Sequence, residues 1–598
     1  MTRVLAGVLL MVAAQLVACG DSSTQQAAAP SAATSAGRDD SQLVRMVEEY
    51  FDASLSLDPF YAPYFGERRL YDQLGNNLSD DFLKARQALI ADYLARSDAF
   101  MTSDLSPARE ITLAVFRHSL TTEQQLSAFP AWLLPINQFD SRVLGFWEMA
   151  SGEGLFPFLT AKDYQAFINR MRQYPAWSDS AVQRLQQGAE QGVVLPKVLV
   201  ERVIAQLDSQ LSLPLEQTLF VAPLKDLVKR VGEADAVAID ADYRAVLNHE
   251  LLPAMVRMRD YLKNDYLAKA RASSGYGELP NGQAWYQALA NLHTTTRMPA
   301  AEIHQLGLSE VARIHQEMEQ VRQQVGFKGE LKAFFNHLAT DDRFFYATPE
   351  QLIAAYGEAK NRIEVRLGDY FDLRPKADYE VWPVEAYRQQ SAAGASYSAP
   401  ALDGSRPGVF YINTYNLRAQ PTWGVTTLSL HEAAPGHHFQ VALQQEMSSL
   451  PRFQRYYDAT AYVEGWALYA EYLGLEMGLF SDPYQLFGKL SDELLRAMRL
   501  VVDTGLHAKG WSREQAIAYM LDNSAMAESD VTAEVERYMA IPGQALSYKI
   551  GQLKIIELRQ QLQRQQGKGF DIKAFHRAVL EDGALPLGVL EQKLLARP

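Results

Sequence analysis

The chain predicts a mainly α fold, large and two-lobed, with one small β-sheet. Three observations carry this. Apolar residues recur at helical spacing along most of the sequence. β-branched and aromatic composition is concentrated in one region, 378–413. Composition also shifts over 259–277, ending in Ala272-Ser273-Ser274-Gly275-Tyr276-Gly277, which sets a helical lobe at 41–270 apart from a second at 271–598. A folded part of this length can bury a large core and more than one lobe. No repeat of fixed period and no sustained heptad interrupts the pattern.

The N-terminus reads as a targeting segment. Arg3 supplies the positive start, 4–17 an apolar stretch too short for a comfortable membrane span, and Leu16-Val17-Ala18-Cys19 a cleavage site resembling a bacterial lipobox. Cys19 is the only cysteine, so it reads as a lipid-attachment site rather than a disulfide partner. Residues 1–18 are then the signal peptide and 19–40, rich in Ala, Ser, Thr, Gln and Gly, a flexible tether. In enteric bacteria an Asp directly after the lipidated Cys retains lipoproteins in the inner membrane. Gly20 stands there, which favours a periplasm-facing protein on the outer membrane. The net charge of −14 argues against nucleic acid and against electrostatic binding to anionic lipid, leaving Cys19 as the expected membrane contact.

From 41 to 57 a polar start precedes Val44, Val47, Phe51 and Leu55 at helical spacing, and helices are expected again over 80–100, 107–118 and 161–188. The same pattern covers 198–211, 223–231 and 240–264. Pro299-Ala300-Ala301-Glu302 starts another helix, and 512–521, 533–539, 547–565 and 572–580 close the chain. The exceptions, 379–382 and 409–413, read as strands flanking a Gly/Ser/Ala-rich loop at 391–408.

Directly after the apolar run 425–430 stands His431-Glu432-Ala433-Ala434-Pro435-Gly436-His437-His438. Three of the chain's 11 histidines fall in these eight residues. His and carboxylate ligands suit Zn²⁺, and an adjacent Glu can serve as base toward a metal-activated water. The spacing is unusual. In H-E-x-x-H the histidines are four apart, about 400° round a helix, and share a face. Here that position is Pro435. On an ideal helix His437 lies about 120° from His431 and His438 about 20°, so ideal geometry selects His438. Pro435 breaks the helix, however, and a kink at Pro435-Gly436 can bring His437 round instead. An acid should follow from a later helix. Glu464 sits in the apolar stretch 461–472, where a charge needs a partner, either a metal or a buried arginine such as Arg496 or Arg499. Glu471, seven residues on, lies on a similar face and reads either as an acid that orients one of the histidines or, as favoured here, as a solvated helix position.

The pattern His-Glu-x-x-Pro-Gly-His followed by Gln440 resembles the bacterial domain of unknown function 885 family, which itself resembles gluzincin zinc peptidases. The likeness covers most of the mature chain and is most specific over 286–303 and 409–551. It implies His437 as second ligand, with His438 as alternative, and Glu464 as third, since its distance from His437 resembles the gluzincin separation. It implies a helical fold like angiotensin-converting enzyme and thermostable carboxypeptidases, with a central cleft and the sheet beside the active-site helix. It also implies that the strand containing Tyr411 and Asn413 presents an edge on which peptide substrate adds as a strand. By analogy Tyr548 would hydrogen-bond the oxyanion and Tyr538 would stand where those relatives carry a His. Arg537, by its own chemistry, either clamps a substrate carboxylate bidentately or pairs with Glu534 or Glu536. His507, after an apolar helix, either caps that helix or faces the cleft. His293 and His304 read as structural.

Together these readings describe a peptidase for short peptides, acting as carboxypeptidase, dipeptidase or oligopeptidase. One Zn²⁺ per chain is held by His431, His437 and Glu464, and Glu432 is the base. The rivals are a zinc amidase acting on cell-wall or γ-glutamyl peptides, and a non-catalytic lipoprotein whose structural site would need His438 as fourth ligand. Oligomeric state is not legible in the sequence.

Overall fold

The computed structural model describes residues 35–596 apart from 153, 155, 385–388, 390–393 and 401–405. Cys19 and residues 1–18 lie outside the described residues, as do parts of the 391–408 loop.

The fold is mainly α with one small sheet. Its first helix, Ser35–Leu57, begins inside the stretch expected to be tether. Helix Asp80–Asp98 starts where Ser79 accepts the Phe82 N–H, and Pro107–Leu126 starts on a proline whose missing N–H costs nothing in a first turn. The latter runs on past residue 118, because Leu120 is also buried. Ala161–Gln191 opens with a reciprocal cap between Thr160 and Asp163 and stops at Gly192, at φ 72°. The helix expected over 240–264 is instead Glu233–Val246 and Leu252–Tyr261, joined by a π turn, Leu247–Leu251. Pro253 lacks the N–H that an unbroken α ladder would need there. Helices Asp80–Asp98 and Pro107–Leu126 pack against the first helix in a core that includes Val47, Tyr50, Ile90, Tyr93, Phe116 and Leu120, while a second apolar core drawn from residues between Phe51 and Tyr266, including Phe146, Phe167, Trp177 and Tyr243, holds the later elements together.

Two further cores lie mainly in the C-terminal half. One collects residues from Leu352 to Leu594 and the other from Val311 to Ala545, and Val115 and Leu199 reach into them from the N-terminal half. Helix Thr460–Glu476 crosses helix Ser547–Gln566 at two glycines. A Cβ on Gly465 would sit 2.5 Å from the Gly551 Cα, and one on Gly551 would sit 1.7 Å from the Ala461 carbonyl oxygen. Backbone therefore meets backbone, which brings the turns carrying Glu464 and Tyr548 close together.

The sheet has three strands, β1 (Tyr379–Pro383), β2 (Ala395–Ser398) and β3 (Gly408–Ile412), in the order β1-β3-β2. β3 pairs in parallel with β1 and antiparallel with β2. The expected substrate edge at 409–413 is thus the central strand, a correction with a plain cause. Val409, Phe410 and Ile412 are buried, and Phe410 packs edge-on against Tyr356. The outer positions fall to β1 and to β2, whose Ala-Ser-Tyr-Ser composition tolerates half-exposure.

Candidate metal centre and cleft

Helix Val425–Glu432 delivers His431 and Glu432 at its last turn and stops. Ala433 leaves the helical region (φ −105°, ψ −109°), the Ala434–Pro435 peptide is cis, and Gly436 (φ −75°, ψ −129°) caps a new helix, His437–Glu446. The turn folds back onto the helix it ends. A Cβ on Gly436 would lie 1.9 Å from the His431 carbonyl oxygen and 2.4 Å from that of Leu430, so only glycine fits. Trp466 Nε1 donates to the Pro435 carbonyl at 2.7 Å and fastens the turn to the helix carrying Glu464.

This backbone brings His437 round to His431. Their rings stand perpendicular with centroids 4.8 Å apart. Glu464 Oε2 lies 3.3 Å from His437 Nε2 and 3.7 Å from His431 Nε2. Among the described residues these three form the one group of His, Cys, Asp or Glu able to converge on an ion, with ligand atoms within 4.8 Å of one another. Ligands about 2.1 Å from a tetrahedral zinc stand about 3.4 Å apart, so the spacing fits. Among the described residues Glu464 Oε2 is buried without a hydrogen-bond donor, an orphan acceptor that a cation would satisfy. It pairs with neither Arg496 nor Arg499. Arg496 turns to Asp492, and Arg499 to Glu534 and Tyr538.

Burial opposes ionisation of Glu464, yet the imidazoles of His437 and His431 hold its carboxyl well below the usual range. Burial likewise disfavours a charged His431, but the carboxylates of Glu464 and Glu471 on its two sides outweigh this and push the imidazole up to about 9. Glu471 takes the orienting role and not the favoured solvated one. It is fully buried, accepts from His431 Nδ1 at 2.7 Å and from the Thr427 hydroxyl at 3.1 Å, and Arg496 Nη2 lies 4.0 Å away. With Nδ1–H committed to Glu471, it is Nε2 that faces the Glu464 side, so release of the Nε2 proton to an incoming cation gives the tautomer that ligation requires.

His438 is turned away from the triad. Its Nε2–H donates to the Ala377 carbonyl at 3.1 Å and its Nδ1 accepts the Tyr397 hydroxyl at 3.0 Å, so both nitrogens are spent on the sheet. Burial lowers it to about 4. The alternative second ligand, and a fourth protein ligand from His438, are excluded by that orientation.

The triad opens into a cleft of about 990 Å³, lined also by Glu432, by Gly394, Ala395, Ser396 and Tyr397 along β2, and by Asp492, Arg496, Arg499, Arg537 and Tyr548. Tyr548 thus shares the cleft with Glu432. Its hydroxyl accepts from Arg537 Nη2 at 3.3 Å, which leaves its O–H proton free to donate. Arg537 also reaches Gln544 Oε1 at 3.2 Å and stands 3.5 Å from Glu534. Its other expected partner, Glu536, binds Arg202 and Arg513 instead.

Other expectations fail. Tyr538 lies behind the cleft wall, its hydroxyl donated to Glu534 at 2.6 Å and receiving from Arg499 Nε. His507 is fully buried between the Tyr276 N–H and the Tyr538 carbonyl, at 3.0 Å each, and burial lowers it to about 3. It neither caps its helix nor faces the cleft. Asn413 holds the Gln389 carbonyl and the Tyr415 N–H, and neither it nor Tyr411 lines the cleft. His304, by contrast, bonds the buried Thr504 hydroxyl at 2.8 Å, in keeping with a structural role.

Residues 59–594 match a family described as bacterial protein of unknown function (DUF885), and the chain belongs to that family. No curated protein matches it. Among solved structures it is similar to a protein from Colwellia psychrerythraea provisionally assigned as a lipoprotein. That match has a TM-score of 0.85 and 29% identity, covering 93% of this chain and 99% of the other. It also shares its fold with a Shewanella oneidensis protein, likewise provisionally a lipoprotein and of unknown function, at TM-score 0.67 and 19% identity over 92% of this chain and 99% of the other.

Proposed function

We propose that this member of the DUF885 family is a zinc-dependent peptidase that hydrolyses short peptides at the bacterial envelope. The observation that carries the reading is the convergence of His431 Nε2, His437 Nε2 and Glu464 Oε2 in a cleft that also contains Glu432 and Tyr548. His₂Glu is the donor set of catalytic zinc sites, which keep one position open, whereas structural sites use four protein ligands. Zinc bound there supplies a Lewis acid that polarises a carbonyl and makes water acidic enough to attack at neutral pH. The chain's residues do the rest. Glu432, beside His431 at the end of its helix, takes the proton from the attacking water and passes it to the leaving amine. Tyr548 donates its hydroxyl proton toward the carbonyl oxygen as negative charge gathers on it. β2, the strand of the sheet that borders the cleft, offers main-chain groups to an extended peptide irrespective of its side chains.

Localisation follows from Cys19 and the preceding apolar segment, together with the lipoprotein assignments of the two similar structures. Attachment through a lipid on Cys19 to the outer membrane, with the cleft in the periplasm, fits these. Among the described residues no helix is long and apolar enough to cross a membrane.

The test is elemental analysis of purified protein together with a Glu432→Gln variant offered short peptides. About one zinc per chain, lost in His431→Ala and His437→Ala and kept in Glu432→Gln, is expected. Turnover should disappear in Glu432→Gln. Absence of bound metal, or full hydrolysis by Glu432→Gln, refutes the reading.

A further inference from the structure

We infer that Arg499 and Arg537 form a carboxylate-binding subsite in the cleft, selecting peptides that present a carboxylate beside the reacting bond. The inference rests on the peptidase reading for the identity of the ligand, but its geometry stands apart from the metal centre.

Arg499 is almost wholly buried, with its side chain 5% exposed, yet it lines the cleft. Nε donates to the Tyr538 hydroxyl at 3.1 Å and Nη2 to Glu534 Oε2 at 2.8 Å, while the buried Nη1 has no partner among the described residues. A guanidinium carries five N–H groups in a rigid fork matched to a carboxylate, and a buried donor left unmet is costly. Arg537 repeats the pattern. Nη2 serves Gln544 and Tyr548, and the buried Nε is unpartnered among the described residues. Two rings hold the guanidiniums in place. Arg499 Cζ lies 4.3 Å from the Tyr548 ring centroid, and Arg537 Cζ lies 4.8 Å from that of Phe139.

The neighbouring acids do not cancel these charges. Glu534 is the one carboxylate shared by both, with Oε2 accepting from Arg499 and Tyr538 and Oε1 3.5 Å from Arg537, so the trio keeps one positive charge in excess. Asp492 is taken by Arg496, whose Nη1 reaches both its carbonyl and Oδ1 at 3.2 Å. Asp530 lines the cleft from an exposed position in the helix Glu528–Ala540.

Tyr548 sets the location. Its ring packs against Arg499 and its hydroxyl touches Arg537, so an anion on the free guanidinium edges sits next to the group assigned to the reacting carbonyl. On a peptide that anion is either the C-terminal carboxylate or an acidic side chain. Lysine could not replace either arginine, because it offers a point charge and no fork.

The test is calorimetry on the full chain carrying Glu432→Gln, loaded with zinc. The probes are tri-alanine as the free acid, its C-terminal amide, and amidated tripeptides differing only in one glutamate or glutamine. Hydrolysis of the same four by the wild type is followed separately. We expect the acid to bind about 10- to 100-fold tighter than its neutral partner. A free-acid preference identifies the C-terminus as the source, and a glutamate preference identifies a side chain. Arg499→Met should erase the difference. Because that change strands Glu534, Arg537→Gln, at a position with the side chain 20% exposed, serves as the second variant and should reduce it. Equal binding of charged and neutral probes, no binding of any, or variants that weaken both alike overturns the subsite. Charge preference without hydrolysis by the wild type keeps the subsite and refutes the peptidase, and hydrolysis without preference does the reverse.

Discussion

Replacing Glu471 should weaken zinc binding although Glu471 touches no zinc. Its carboxylate lies 2.7 Å from His431 Nδ1 in a fully buried setting, with the Thr427 hydroxyl on its other oxygen. A hydrogen bond to an ionised partner is worth about 1.5–3 kcal/mol and a neutral one about 1 kcal/mol. Glu471→Gln keeps the shape, because an amide oxygen can still accept from Nδ1–H and its NH₂ can meet the Thr427 oxygen. It removes only the charge that makes His431 a stronger donor to the metal, a loss of about 1.4 kcal/mol, or about tenfold in affinity. Glu471→Ala goes further. It frees the imidazole to rotate and leaves Nδ1–H buried without an acceptor, so the loss should approach the roughly 100-fold upper range for such partners. The assay is competition for zinc against a chromophoric chelator at fixed pH, with thermal unfolding of each apo protein as the control for folding. Wild-type affinity in both variants, with folding intact, refutes the argument. So would equal losses from Gln and Ala, since the charge and the orientation would then not be separable contributions.

Gly436→Ala should yield protein without stoichiometric metal, because a Cβ 1.9 Å from the His431 carbonyl forces His437 away from His431; elemental analysis reads this directly. Tyr548→Phe should lower kcat by about 10²–10³-fold with little change in KM, measured by steady-state hydrolysis of a short peptide. Stability should also depend on Asp503, which burial pushes up from 3.8 to about 7 even though it accepts from Tyr286 and the Gly543 N–H. Between those values the native state holds a proton that the unfolded chain has released. Stability therefore falls as pH rises through this window, by about 4 kcal/mol at most. Asp503→Asn retains the acceptor and should flatten the difference in unfolding midpoint between about pH 5 and about pH 8. An undiminished difference in the variant counts against this assignment.

How far the site was legible depends on what each residue's role is made of. The helical class and the turn at Pro435-Gly436 follow from local chemistry, and the sequence states them. Which histidine returns does not follow. Ideal helix angles select His438, and the actual outcome is set by the dihedrals at Ala433 and Gly436, which carry the chain back over the Leu430 and His431 carbonyls. For Glu471 the choice between an orienting acid and a solvated one turns on something else. Its spacing from Glu464 was noted correctly, but a solvated position presupposes a solvent face, and Thr460–Glu476 is buried on nearly every side. A helix apolar all round has no wet face to give an acid, so the composition of that stretch already argued that Glu471 must have a partner inside. The sheet was harder. β3 announces itself by Val409, Phe410 and Ile412, but those same apolar residues are why it ends up in the middle, while β2 carries no strand signal at all. Tyr538 and Tyr548 could not be told apart from composition. Their separation is decided by Glu534, one turn before Tyr538, which draws that hydroxyl and Arg499 to itself and leaves Tyr548 at the surface of the cleft. The general consequence is physical. A charged residue buried by its fold has a role fixed by whichever opposite charge reaches it first, and for Glu464, Glu471 and Arg499 alike that competition is settled between helices far apart in sequence.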